Sequence, residues 1–77
     1  MPFDGVSSSF RIEMHGDAEV LISGCEKILE YDHSLVKLRL KGRNIDICGD
    51  RLECITYLDG TVEIKGVITD LKLWGDT

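Results

Sequence analysis

Apolar and polar residues alternate with a period of two along most of this chain. Phe10, Ile12 and Met14 are interleaved with Arg11, Glu13 and His15; Val20 and Ile22 follow; Val36, Leu38 and Leu40 alternate with Lys37, Arg39 and Lys41. Successive side chains of a strand point to opposite faces, so this period gives each strand one face for a core and one for water. No window carries the three-to-four spacing of an amphipathic helix. The runs break at Gly16, Gly24, Gly42, Gly49, Gly60 and Gly66, each at or just after the end of a short alternating stretch. Glycine tolerates positive φ where a strand must turn or bulge. Asp59-Gly60, between runs at 52–57 and 62–65, is the strongest hairpin signal. Asp32-His33-Ser34 predicts a second turn, joining 27–31 to 36–41.

The apolar face also changes phase. Leu52 and Cys54 give way to Ile55 and Tyr57, and Val62 and Ile64 are followed across Gly66 by Leu71 and Leu73. A slip of one residue turns every later side chain to the other face, so a phase change inside a run predicts a β-bulge or an edge crossing. Residues 20–31, 38–49 and 62–74 stack on Gly24, Gly42 and Gly66 as a loose repeat, but unrelated β-arches share that look and duplication is the weaker reading. The expectation is an all-β domain of seven or eight short, mostly antiparallel strands. Bent at glycines, they would form a rolled sheet, a sandwich or a partly open barrel. Residues 1–9, with Pro2, Gly5 and three serines but no apolar period, read as a loose arm, leaving 10–77 as a single domain.

Length and charge narrow the function. A core built from 77 residues nets only about 3 to 5 kcal/mol, so self-association is an expectation. A net charge of −5 repels the phosphate backbone that supplies most nucleic-acid affinity, which argues against DNA or RNA as a partner. With no stretch of 18 apolar residues and no basic, apolar leader, neither direct membrane insertion nor secretion is expected, and the cytoplasm is the expected compartment. Cys25, Cys48 and Cys54 are odd in number and not closely paired, which suits reduced thiols better than a disulfide framework.

Three constellations are candidates for chemistry. Lys37, Arg39 and Lys41 share one strand face and could grip an anion, or form a small-ligand or glycan site with Tyr31 or Tyr57. The competing reading is cross-strand pairing: a four-residue turn after Tyr31 would set Glu30 opposite Lys37 and Glu26 opposite Lys41. His15, His33, Cys48 and Cys54 lack the close ligand pairs of a zinc site, so no metal and no cofactor is expected. No nucleophile elbow or phosphate-binding glycine loop is present, and a non-enzymatic protein is expected unless His33 proves buried beside Cys48 or Cys54. Leu71, Leu73 and Trp74 form the third candidate, a partner-contact patch, unless Trp74 caps the open end of the sheet.

The run ILEYDHSLVKLRLKGRNIDICGDRLECITYLDGTVEIKGVITDLKLW resembles the YabP/YqfC family of sporulation proteins of endospore-forming Firmicutes, the YqfC branch most closely. The likeness rests on a first strand ending in Gly16, the Gly24 turn and Leu29-Glu30-Tyr31-Asp32. It continues through Lys41-Gly42 leading into Ile45-Asp46-Ile47, and Val62-Glu63-Ile64-Lys65-Gly66 with Leu71. The resemblance implies a non-enzymatic factor in the mother cell, concerned with building the spore envelope of coat and cortex through contacts with other sporulation proteins. Relatives are commonly encoded beside a membrane protein, so a membrane-bound partner, placing the chain at the forespore membrane, is also implied. It brings no catalytic residues. The arm is shorter and less basic than the extension of many relatives, so no role of that extension is expected here.

Overall fold

The structure, a computed structural model, describes residues 4–6 and 10–75. Its elements are β1 (Asp4–Val6), β2 (Arg11–His15), β3 (Glu19–Ser23), β4 (Cys25–Tyr31), β5 (Leu35–Leu40), β6 (Arg43–Leu58) and β7 (Thr61–Trp74). All pairings are antiparallel and belong to one sheet, in the order β1-β2-β3-β7-β6-β5-β4. The chain is therefore all-β, with six strands from Arg11 to Trp74 and the short β1 laid beside β2. Of the nine residues read as an arm, Asp4–Val6 pair with Glu13–Arg11; the others lie outside the described residues.

The expected row of short strands gives way to two long ones. The runs around Ile45 and Leu52 are one 16-residue strand, and those around Val62 and Leu71 one 14-residue strand. The hydrogen bonding is that of an open sheet with β1 and β4 at its edges, rather than two separate sheets or a ladder-closed barrel. A flat strand of 16 residues would run about 53 Å, yet the longest dimension of the molecule is 29 Å. The β6–β7 hairpin must bend, and it does so where the register slips, between Cys48 and Gly49, Asp50 and Glu53, and Cys54 and Thr56. The last slip is the bulge that the phase change at Ile55 predicts.

Two glycines make the bend sterically feasible. A Cβ on Gly49 would lie 2.0 Å from the carbonyl oxygen of Val67, and one on Gly66 would lie 2.6 Å from that of Arg51. Gly66 also has φ +140°, a region closed to other residues, while Arg51 opposite adopts φ 55°. Gly24, Gly42 and Gly66, alike in the sequence, thus have different roles: a link between strands, a two-residue turn and a bend within a strand.

At the bend the amides that point away from the β6–β7 ladder find their acceptors in the β4–β5 and β2–β3 turns, where Gly49 and Gly66 extend the β5–β6 and β3–β7 registers, respectively, by one pair. The Gly49 and Leu52 amides donate to the carbonyls of Ser34 and His33 at 3.1 and 2.7 Å. Those of Gly66 and Ile68 donate to Ala18 and Asp17 at 3.1 and 2.8 Å.

Folding the hairpin over lets both halves of the sheet share one core. Ile12, Val20, Ile22, Val62 and Ile64 come from one half and Val36, Leu38, Leu40, Ile45 and Ile47 from the other, with Leu52 and Ile68 near the bend. The hairpin tip is the expected Asp59-Gly60, both at positive φ (54° and 76°) as a two-residue turn of primed type requires.

The bend and the turns should respond differently to an added methyl group. Gly66→Ala is expected to cost about 3 kcal/mol or more through strain and the Arg51 clash, measured by denaturant unfolding. Gly42→Ala, whose added Cβ meets nothing within 4 Å, is expected to cost only about 1 kcal/mol through its positive φ.

Candidate functional site

The outer face of β4, β5, β6 and the second half of β7 carries Lys37, Arg39 and Trp74. Lys37 lies opposite Glu30 on β4 and Asp46 on β6, and Asp46 lies opposite Lys72 on β7. One step along the strands, Arg39 lies opposite Lys27 and Asn44, and Asn44 opposite Trp74. The expected Glu30–Lys37 register is therefore present. The expected Glu26–Lys41 register is not, because β4 bulges between Cys25 and Lys27 and again between Ile28 and Glu30. Glu26 instead approaches Arg39, with Oε1 3.9 Å from Nε. Lys41 leaves the stripe to form the turn with Gly42. No ion pair joins Glu30, Lys37, Asp46 or Lys72 among the described residues.

Leu71, Leu73 and Trp74 do not form one patch. Leu71 and Leu73 lie opposite Ile47 and Ile45 and pack, half-buried, against the core. Trp74 falls on the other face beside Asn44 and is 42% exposed. Asn44 and Asp46, neither of them a candidate site residue in the sequence, stand out here: Asn44 is only 7% exposed, and neither its Oδ1 nor that of Asp46 has a hydrogen-bond partner. Their alternation with Ile45 and Ile47 marks them as outward-facing, but their burial depends on neighbours from other strands.

Tyr31 and Tyr57 are engaged elsewhere. The Tyr31 hydroxyl accepts from the Cys54 amide at 2.9 Å, and the Tyr57 hydroxyl donates to the Glu26 carbonyl at 3.3 Å. These phenols bridge the seam between edge strand β4 and the second half of β6, which is pinned at one end by the Cys25 amide on the Gly60 carbonyl. Tyr31 lies opposite core residue Val36 and so is on the face away from Lys37 and Arg39. A shallow depression at the seam, about 460 Å³, is lined by Tyr31, His33, Arg51, Leu52 and Glu53 and includes none of the three basic residues of the stripe. A cleft of about 60 Å³ at Arg39, Gly42, Arg43, Asn44 and Gly75 includes only Arg39.

Titratable groups elsewhere are modestly perturbed. Burial pushes the Cys25 and Cys54 thiols up, keeping them protonated and poorly nucleophilic. His33 is exposed in its turn. No group of three or more metal-ligating side chains occurs among the described residues. On the opposite outer face, Glu19 and Glu63 share a hydrogen bond between carboxyls. This, with some desolvation and the charge of Glu19, raises the Glu63 pKa against the opposing pull of Lys65 and His15. That face carries Glu13 and Glu53 as well, and is the more acidic of the two.

A family model described as the YabP family matches residues 7–76. The chain belongs to the YabP family. No curated protein and no solved structure matches it. The match takes in all six strands from β2 to β7, including the bend, both turns that cap it and the paired outer faces. Membership is consistent with a sporulation-related role. Among the described residues of this YabP-family chain, no helix is long and apolar enough to cross a membrane.

The shared carboxyl proton gives a pH signature. A carboxyl whose pKa is raised by folding contributes stability below its unfolded pKa and loses it as pH rises through the folded value. Glu63→Gln is therefore expected to match the native chain in acid and to exceed it in midpoint as the pH rises past the raised pKa, read by denaturant unfolding across a pH series. Parallel profiles would contradict the shared proton.

Proposed function

We propose that the chain is a non-enzymatic sporulation factor that works through protein–protein contacts in assembling the spore envelope, and that it belongs to the YqfC branch of its family. The observation that carries the reading is family membership over residues 7–76. The surface supports it: the chemistry-bearing residues lie spread over a broad sheet face, with Trp74 standing out from it. Such an aromatic, flanked by charged neighbours, is the kind of side chain that anchors an interface. The partners are other sporulation proteins, one of them membrane-bound, which would hold the chain at the forespore membrane of the mother cell.

Edge-strand pairing, the other route to assembly, is less favoured at β4. Two bulges and the charged Glu26, Lys27 and Glu30 blunt that edge, as natural sheets do to avoid unwanted strand addition. A small-ligand or glycan site on the basic stripe is also less favoured, because Tyr31 and Tyr57 face the seam and Lys41 lies in a turn.

The test is deletion of the gene in a spore-forming host, combined with localisation of a tagged copy. Defective spores, and a tagged protein confined to the mother cell, are expected. Normal spores, or abundant protein in vegetative cells, would remove the reading.

A further inference from the structure

Four strands of the outer face place their charges in a row whose signs alternate: Glu30 on β4, Lys37 on β5, Asp46 on β6 and Lys72 on β7. Reversing such a row turns it into its own complement. A two-fold axis lying parallel to the strands, between β5 and β6, performs that reversal. It sets Glu30 against Lys72 of a second copy and Lys37 against Asp46 of the second copy, and both contacts recur by symmetry. The neighbouring row, Lys27, Arg39, Asn44 and Trp74, obeys the same operation. Lys27 then meets the indole face of Trp74, a favourable cation–π arrangement, and the Arg39 guanidinium meets Asn44.

We propose that this face is a self-association surface on which a second copy of the chain docks across that two-fold axis. Three observations converge on it. The four charges of the row are in register but form no ion pairs among the described residues, so they are available to a partner. The two side chains facing Arg39 and Lys37 of the second copy, Asn44 and Asp46, are the two with buried oxygens lacking a hydrogen-bond donor. Docking supplies the donors, displacing the side chains that shield these oxygens from water. Finally, Lys27, Lys37, Arg39 and Lys72 balance Glu26, Glu30, Asp46 and Asp70 on this face. The repulsion between two chains of net charge −5 is therefore weakest there. An isologous contact of this kind closes on itself and stops at a dimer.

The inference deepens the assembly reading above but is tested on purified protein. A strict monomer would remove this inference alone, whereas normal spores after deletion would remove that reading alone. Sedimentation equilibrium of the full chain is expected to show a monomer–dimer equilibrium that weakens with added salt. Lys37→Glu and Asp46→Lys each create two like-charge contacts about the axis, and each is expected to raise the dimer Kd by about tenfold or more. An equimolar mixture of the two variants should dimerise again. The carboxylate introduced at position 37 of one chain then faces the ammonium introduced at position 46 of the other, and the unaltered Asp46 of the first faces the unaltered Lys37 of the second. Contacts within each chain are unchanged from the single variants. If either variant fails to fold by circular dichroism, the exposed pair Glu30→Lys and Lys72→Glu provides the same complementation at the ends of the row. A monomeric native chain, variants that dimerise as tightly as the native chain, or a mixture no tighter than its components would each overturn the proposal.

Discussion

Four backbone amides at the bend of the β6–β7 hairpin need acceptors that their own ladder cannot provide. Gly49, Leu52, Gly66 and Ile68 sit where the register slips, and the carbonyls of Ser34, His33, Ala18 and Asp17 receive them. A buried amide left without a partner costs about 1 to 3 kcal/mol, so losing all four would match or exceed the roughly 3 to 5 kcal/mol that a core of this size nets. The two capping turns are therefore as much a part of the bend as the glycines. Because they are also the turns of the β2–β3 and β4–β5 hairpins, the bend fixes where both hairpins lie.

The surfaces follow from that placement. Once the β4–β5 turn is held over Leu52, β4 runs beside the second half of β6, and Tyr31 and Tyr57 can bridge the remaining seam. Folding the hairpin buries the inner faces of both halves together and leaves two outer faces of different character. One gathers Glu13, Glu19, Glu53 and Glu63; the other alternates charges from β4 to β7 and carries Trp74. An acidic chain thereby presents a nearly neutral face, which suits contact with protein better than capture of an anion.

Features governed by near neighbours were legible in the sequence. The Asp59-Gly60 and Asp32-Ser34 turns, the Glu30–Lys37 register and the bulge at Ile55 all depend on a few adjacent residues, and the likeness to the YabP/YqfC family followed from their order. Gly49 and Gly66 were legible as breaks but not as bends inside continuous strands. That distinction depends on the close approach of Val67 and Arg51, which are remote in sequence from the glycines they touch. Glu26 missed Lys41 because β4 bulges twice, and edge-strand bulges leave little trace in composition. Grouping Leu71, Leu73 and Trp74 overlooked the period of two that had identified the strands: odd positions there face the core, so Trp74 had to face out. The unpartnered oxygens of Asn44 and Asp46 depend on burial by neighbouring strands and had no sequence signal.

Native-state hydrogen exchange of the amides at Gly49, Leu52, Gly66 and Ile68 tests the capped bend most directly. Exchange of all four as slow as that of core amides such as Ile47 and Ile64, lost together on global unfolding, is the result the structure requires. Rapid exchange at these four positions with the core still protected would contradict it, since the turns would then not be holding the bend.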